Sequence, residues 1–487
     1  MWVSPEDRIV ELEGQVAVLV ESNRVLTERV ADLEARLEGK DSGNSSMPPS
    51  RDGRDRRQRR AEEREARKQA RVEAGGVTRP PGKQPGAAGS TLQRRVADEE
   101  IRHTPGCCRS CSADLADAPV VGEQCRQVLD IPEPSLIVTD HVVEQRRCRC
   151  GQVTTGTFPP EATAVVCWGP RVKAVAVYLM IRQHIPLERA HEALDVLFGA
   201  PVSEGSLAGW PLDAAERLAP FTQELFVLLN QVGVICADET PIRVGTGSGY
   251  VHTVSTDTLT LLAHHTRRGL EAVLQIGVLT GYTGVIMHDG YHVYDCVELA
   301  AASHAQCHAH LDRHLVDVGA WVKHKPWCDQ MRRVLWDIQA ATRHALADGQ
   351  PAVDPDTAGG LRGRYHQVLT LAFQTLPPGP PPWFRKNDGW LPKDRTAWNL
   401  AVRFRDEADQ ILRLLDDTRI PATNNDAERS LRMCKLHDKI AGRFANPLNA
   451  AAFCVIRSYI QTGRKQAQNT LTNLVRIYTT TPWLPTT

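Results

Sequence analysis

The sequence lacks an excess of either charge: 58 Lys and Arg stand against 58 Asp and Glu, for a formal net charge of zero. Any affinity for nucleic acid must then come from local clusters. It lacks an apolar run long enough to span a bilayer, and its first residues are charged and periodic, unlike a signal peptide. No membrane partner is expected, and the expected compartment is the cytoplasm. It lacks an even, regularly spaced cysteine set. Thirteen cysteines, mostly scattered, argue for metal ligands or buried thiols over a disulfide framework. What is present is ordinary for globular protein, 42% hydrophobic and 24% charged residues. At 487 residues, roughly three or four domains are expected.

Residues 1–40 carry a heptad pattern. Ile9, Val16, Asn23, Val30 and Leu37 share one seam position, and Leu12, Leu19, Leu26 and Leu33 the other. Mostly β-branched residues at one position and Leu at the other favour a parallel two-stranded coiled coil, with a buried Asn fixing register. A homodimer or higher oligomer follows. Residues 41–95 read as a linker. Within it, residues 51–72 hold ten Arg and Lys against five Asp and Glu, including Arg56, Arg57, Arg59 and Arg60. Lys83 lies in a Pro/Gly-rich stretch that cannot form a helix or central strand. The segment is either a solvated tether or an arm that tracks phosphates.

Residues 96–158 form a small cysteine-bearing unit. Cys108-Arg-Ser-Cys111 and Cys148-Arg-Cys150-Gly151 flank stretches that read as strands (Gln127–Leu129, Leu136–Glu144). Two short-spaced pairs divided by strands frame a zinc ribbon, in which four thiolates close a tetrahedral structural zinc site; Cys107 could stand in for Cys108. Residues 159–230 read as a helical region. Helices at Leu187–Phe198 and from Ser203, joined through Gly199-Ala200-Pro201, resemble a helix-turn-helix. From 231 to 313 strands succeed one another and then alternate with helix, which suggests a mixed α/β sheet. Residues 314–419 read as a helical insertion, rich in tryptophan, and residues 420–487 as closing helices of the sheet domain.

Two acids, Asp238 and Asp289, end predicted apolar strands, and ligand sites in α/β sheets gather at such ends. Glu428 falls in the first turn of a helix introduced by Thr423-Asn424-Asn425. Magnesium takes oxygen ligands and keeps several waters, so three carboxylates suffice. Two such ions suit phosphoryl transfer. Each acid also reads as a capping or solvated side chain. Arg429, Arg432 and Lys435 follow Glu428, as a solvated face or as phosphate contacts. His304, Cys307, His308, His310 and His314 crowd another segment. Cys307-x2-His310 has metal-binding spacing, and an ordinary polar helix accounts for the same residues.

The motifs together resemble the transposases of the insertion sequence 66 family over almost the whole chain. They run in order: Asn44-Ser45-Ser46-x-Pro48-Pro49-Ser50, Gly82-Lys83-Gln84-Pro85-Gly86, Pro186-Leu187-Glu188-Arg189, Val202-Ser203-Glu204-Gly205-Ser206-Leu207, Ala237-Asp238-Glu239-Thr240, His288-Asp289-Gly290-Tyr291, Cys307-x-Ala309-His310-x2-Arg313 and Thr423-Asn424-Asn425-Asp426-Ala427-Glu428-Arg429. The resemblance implies a DDE transposase with an RNase H-like α/β core. Asp238, Asp289 and Glu428 would be its three acids, holding two Mg2+ ions with Mn2+ as substitute. It implies strand nicking at terminal inverted repeats and transfer of the freed 3′-hydroxyl to target DNA, in the nucleoid. It also admits accessory proteins encoded by the same element. The competing readings are a non-catalytic DNA-binding regulator, a metallohydrolase centred on His304–His314, and a scaffold.

Overall fold

The computed structural model describes residues 92–379 and 392–486. The expected coiled coil, together with Arg56, Arg57, Arg59, Arg60 and Lys83, lies outside the described residues. The chain divides into two compact units between Leu129 and Asp130. Among the described residues no helix is long and apolar enough to cross a membrane.

In the first unit a turn closes around Cys108. Its N–H donates to Ala113 O at 2.8 Å, and Ser112 N donates to Cys108 O at 2.9 Å. Gln127 was expected in a strand. Instead its side chain exchanges two 2.8 Å hydrogen bonds with the backbone of Arg95. In the second unit Leu136–Glu144 is likewise not a strand. Ile137 and Val138 are both exposed, so their alternation buries no face and nothing selects a pleat. The strands that do form are β1 (Gln145–Arg147) and β2 (Val153–Thr155), antiparallel and astride Cys148 and Cys150.

Helices follow. α1 (Pro170–Val177) opens on proline, where the missing N–H costs nothing, and runs into a π turn at Tyr178–Arg182. α2 (Leu187–Phe198) stops at Gly199 in the left-handed region, φ 61°. α3 (Glu204–Arg217) is capped by Ser203 Oγ, which accepts from Ser206 N at 3.3 Å. α4 (Ala219–Gln231) leads into the sheet.

The sheet begins with an antiparallel meander, β3 (Val234–Val244), β4 (Gly247–Ser255) and β5 (Thr260–His265). After α5 (Leu270–Ile276), β6 (Val285–His288) and β7 (Ser303–Gln306) add in parallel on the other side of β3. The spatial order is β5-β4-β3-β6-β7. Helices α6 (His308–Gly319), α7 (Lys325–Ala347), α8 (Pro355–Thr375), α9 (Pro392–Asp406) and α10 (Ala408–Leu412) lie between β7 and the closing helices as an insertion, beginning at His308 where 314 was expected. α11 (Asn425–Ile440), α12 (Pro447–Lys465) and α13 (Thr470–Thr479) end the chain.

The period of two along the strands divides two cores. Ile235, Ala237 and Ile286 face one core, shared with α1–α4 and α11–α13. Cys236, Met287 and Ala305 face the other, filled by the insertion. The helical region before the sheet is therefore packed into the sheet domain: α3 buries Leu207, Trp210 and Ala214 and lies against α12. Both sheet edges are covered, which removes the unpaired groups that promote aggregation. On β5, the N–H groups of Thr260 and Leu262 donate to Thr462 Oγ1 (3.0 Å) and Ser458 Oγ (2.8 Å) on α12. On β7, His304 O accepts from Arg413 Nε at 2.9 Å.

Candidate active site

β3 and β6 pair only from Val234–Val285 to Cys236–Met287. Beyond Cys236, β3 keeps a single strand neighbour, β4, until Val244 forms a parallel bridge with Phe444. Asp238 was expected at the end of β3, but the strand continues to Val244 with Asp238 opposite Thr253. The antiparallel ladder carries the strand past its apolar run. Pro241 lies in the one-sided stretch, exposed, where proline is tolerated. Asp289 directly follows β6. Both acids thus sit just past the last parallel pair.

The third acid is brought in by Asn424, which sits at the start of α11 but makes no side-chain cap. Its Nδ2 donates to Ala237 O at 2.8 Å, and its backbone N–H donates to Cys307 Sγ at 3.2 Å. This fixes the helix start against the residue before Asp238. Glu428, one turn in, donates its N–H to Asn424 O at 3.1 Å.

Electrostatics record the proximity. Asp238 is pushed from an ordinary 3.8 up to about 7, first by burial, then by the negative charges of Glu239 and Asp289, with Glu428 adding to them. Among the described residues, no lysine or arginine forms an ion pair with Asp238 or Asp289. The neighbouring Glu239 differs. It points to the other face of β3, where Arg268 pairs with it at 2.7 Å and Tyr294 OH donates to it at 2.9 Å. Burial still raises its carboxyl. Arg268 stacks 4.0 Å over the Tyr291 ring, and Tyr291 N donates to Asp289 Oδ1 at 2.9 Å. Glu239 thus braces the loop that holds Asp289. Glu428 lies 3.4 Å from Arg313 Nη2 and 3.7 Å from His310 Nδ1.

Sequence reasoning missed Arg403. This residue of insertion helix α9 donates Nη2 to Asp289 O at 2.9 Å, pairs with Glu407 at 3.0 Å and bonds Gln306. Gly290, at φ +87°, leaves the space it needs: a Cβ there would fall on the guanidinium. Nothing in local sequence links positions 114 apart. α9 is held in turn by Asp394, which accepts from His324 Nε2 at 2.8 Å and pairs with Lys323 at 3.2 Å.

Among the described residues two groups have metal-ligand geometry: His288, Asp295 and His304, and Cys307, His310 and Glu428, each with ligand atoms within 4.8 Å of one another. The first suits an ion poorly. His288 Nδ1 accepts the Gly290 N–H at 3.1 Å, so its hydrogen sits on Nε2, the nitrogen an ion would need. The expected histidine cluster is otherwise dispersed, since His308 is buried against Ile411 O at 2.9 Å. In the cysteine-bearing segment, the N–H groups of Cys111 and Ser110 lower the Cys108 thiol, and that of Cys150 lowers the Cys148 thiol. Backbone amides aimed at sulfur favour the thiolate a metal requires. Arg429, Arg432 and Lys435 are exposed on α11.

Residues 166–452 match the family described as Transposase IS66 family. The chain belongs to the IS66 transposase family. Residues 105–151 match the zinc-finger binding domain of transposase IS66, a span that holds Cys108, Cys111, Cys148 and Cys150. No curated protein matches the chain. Family membership makes this a nucleotidyl-transferase type of protein, with the acid-bearing sheet, the helical insertion and α11 all inside the matched span.

Proposed function

We propose that this IS66-family chain is a DDE transposase that nicks the terminal inverted repeats of its element and joins the freed 3′-hydroxyl to target DNA. The observation that carries this is the trio of acids from β3, β6 and α11: burial first, then neighbouring carboxylates, raise Asp238, and among the described residues no lysine or arginine pairs with Asp238 or Asp289. An RNase H-like core is supported by the mixed strand order, with a three-stranded antiparallel meander and two parallel additions. Uncompensated carboxylates fit a divalent cation. Asp238, Asp289 and Glu428 would hold magnesium, two ions in the full site, with manganese as substitute. When bound, such ions stabilise the attacking and leaving oxygens of phosphoryl transfer. The chain's own residues set the geometry: Arg403 and Tyr291 fix the Asp289 loop, Asn424 fixes Glu428, and Arg268 neutralises Glu239.

Arg429, Arg432 and Lys435, exposed beside Glu428, would contact DNA phosphates, as would Arg56, Arg57, Arg59, Arg60 and Lys83 of the basic arm. Cys108, Cys111, Cys148 and Cys150 would hold one structural zinc, and the heptad segment would pair protomers across two DNA ends. These roles, and a place in the nucleoid, follow from the same reading. The test is incubation of the full chain with labelled inverted-repeat DNA and magnesium or manganese. Nicking by the native chain and none by Asp289→Asn is expected. Binding without nicking under every divalent ion would make the chain a DNA-binding regulator instead. Equal nicking by both would remove Asp289 from the site.

A further inference from the structure

Glu428 faces two ways. One side is the acid cluster. The other is the start of α6, where Cys307 Sγ, a His310 ring nitrogen and a Glu428 oxygen lie within 4.8 Å of one another. The Asn424 N–H donates to Cys307 Sγ at 3.2 Å, and the N–H groups of Ala309 and His310 face it. The same pattern surrounds Cys108, whose sulfur is faced by the N–H groups two and three residues on. Cys307-x2-His310 therefore presents its sulfur as Cys108-x2-Cys111 does. His310 Nδ1 is buried without a hydrogen-bond partner. A thiolate and a carboxylate together balance a divalent charge, and sulfur and nitrogen donors select a softer ion than magnesium.

We propose that Cys307, His310 and Glu428 bind a thiophilic divalent ion of the zinc class, with one coordination position left open. An ion there engages Glu428 and withdraws it from the oxygen-ligand set at Asp238 and Asp289, so that the loaded chain is held inactive. The binding half stands on geometry alone; the inhibitory half rests on the assignment of the three acids. Arg313 faces the same carboxylate at 3.4 Å, is 59% exposed and also donates Nε to Ala309 O at 3.3 Å, so an ion at Glu428 must displace its Nη2. Arg403 and Asp289 also face His310, with opposite charges. Burial pushes the Cys307 thiol up, so the ion must displace its proton, and binding weakens in acid.

The test loads the full-length chain with cobalt(II), then measures metal content and the thiolate-to-cobalt charge-transfer band. After desalting that strips ions held by oxygen ligands alone, the native chain should keep about two ions, one of them at the four ribbon cysteines, and His310→Gln and Cys307→Ser about one each. The band should shrink in Cys307→Ser. Asp238→Asn should keep the native count. Retention of the native count by either His310→Gln or Cys307→Ser overturns the site. Zinc sufficient to fill it should slow magnesium-dependent nicking by the native chain at least about tenfold; undiminished nicking overturns the inhibitory half. A native chain that never nicks refutes the acid assignment, while the cobalt count still decides the site.

Discussion

The cysteine-bearing segment and the acid cluster differ in what holds their ligand groups in place. Within the cysteine-bearing sequence, Val96, Val121 and Ile137 are each more than 90% exposed, and each cysteine pair is shaped by its own tight turn. Around the acids, Ile235, Ala237, Ile286 and Met287 are 1% exposed or less, and the three carboxylates come from positions as far apart as 238 and 428. Ligands that are neighbours in sequence need little scaffold. Ligands gathered from three elements need two cores to hold them. The first arrangement has little packing of its own and would take its order from a bound metal, whereas the second orders itself and stores like-charge repulsion instead.

Stripping zinc should break that symmetry most strongly. A structural zinc contributes on the order of 10 kcal/mol to a small domain. Chelation should therefore expose residues 96–158 to protease while residues 166–379 and 392–486 stay resistant, as read by limited proteolysis and mass spectrometry. Equal melting of both regions would mean that the sheet domain leans on the cysteine segment. Next comes Asp238→Asn or Glu428→Gln, expected to lower nicking by at least roughly a thousand-fold, or about 4 kcal/mol. The melting temperature should not fall in Asp238→Asn, because one of the repelling charges is gone. Lost activity together with lost stability would recast Asp238 as a structural residue.

Arg403→Met tests how far the insertion serves the acids. Groups that orient a ligand rather than bind the metal are worth about 10- to 100-fold, and nicking should fall by that much at saturating magnesium. Lysine should restore little of it, because it lacks the guanidinium fork that spans Asp289 O, Gln306 and Glu407. Gly290→Ala should mimic the loss, since its Cβ takes the guanidinium's place. Full activity in both variants would detach the insertion from the site.

These differences track what was legible in the sequence. Short-range signals read well: Leu187–Phe198 was found at its observed bounds, and Thr423-Asn424-Asn425 marked the start of α11. The pairing of Asp238, Asp289 and Glu428 came from motif resemblance, and their burial and mutual charge needed the fold. Two misreadings have physical causes. β3 outlasts its apolar run because β4 supports it beyond the parallel pair. Leu136–Glu144 alternates like a strand but has no face to bury. The β7 strand, Ser303–Gln306, was missed because the His304–His314 segment reads as an ordinary polar helix or a metal group, and four polar and small residues carry no strand signal. Arg403 left no sequence signal, because its function is a contact across the insertion.

The smallest effect is the pH dependence of the repulsion itself. Asp238 has an ordinary value of 3.8 and a folded value of about 7. Between those limits the folded chain keeps a proton that the unfolded chain has released, so this group's contribution to stability falls as pH rises. The slope is at most about 1.4 kcal/mol per pH unit, and the contribution is gone above about 7. Other carboxylates titrate in the lower part of the window, so the informative range runs from about 5.5 to about 7. The native chain should lose stability there relative to Asp238→Asn when metal-free. Magnesium competes with the same proton, so the stabilisation it gives should grow over this range and then level off. Melting temperatures of both chains, with and without magnesium, measure this directly. A difference that stays flat with pH would mean that Asp238 is already ionised near pH 5.5. The acid cluster would then be compensated by protein charges, and its claim on a divalent cation would go with it.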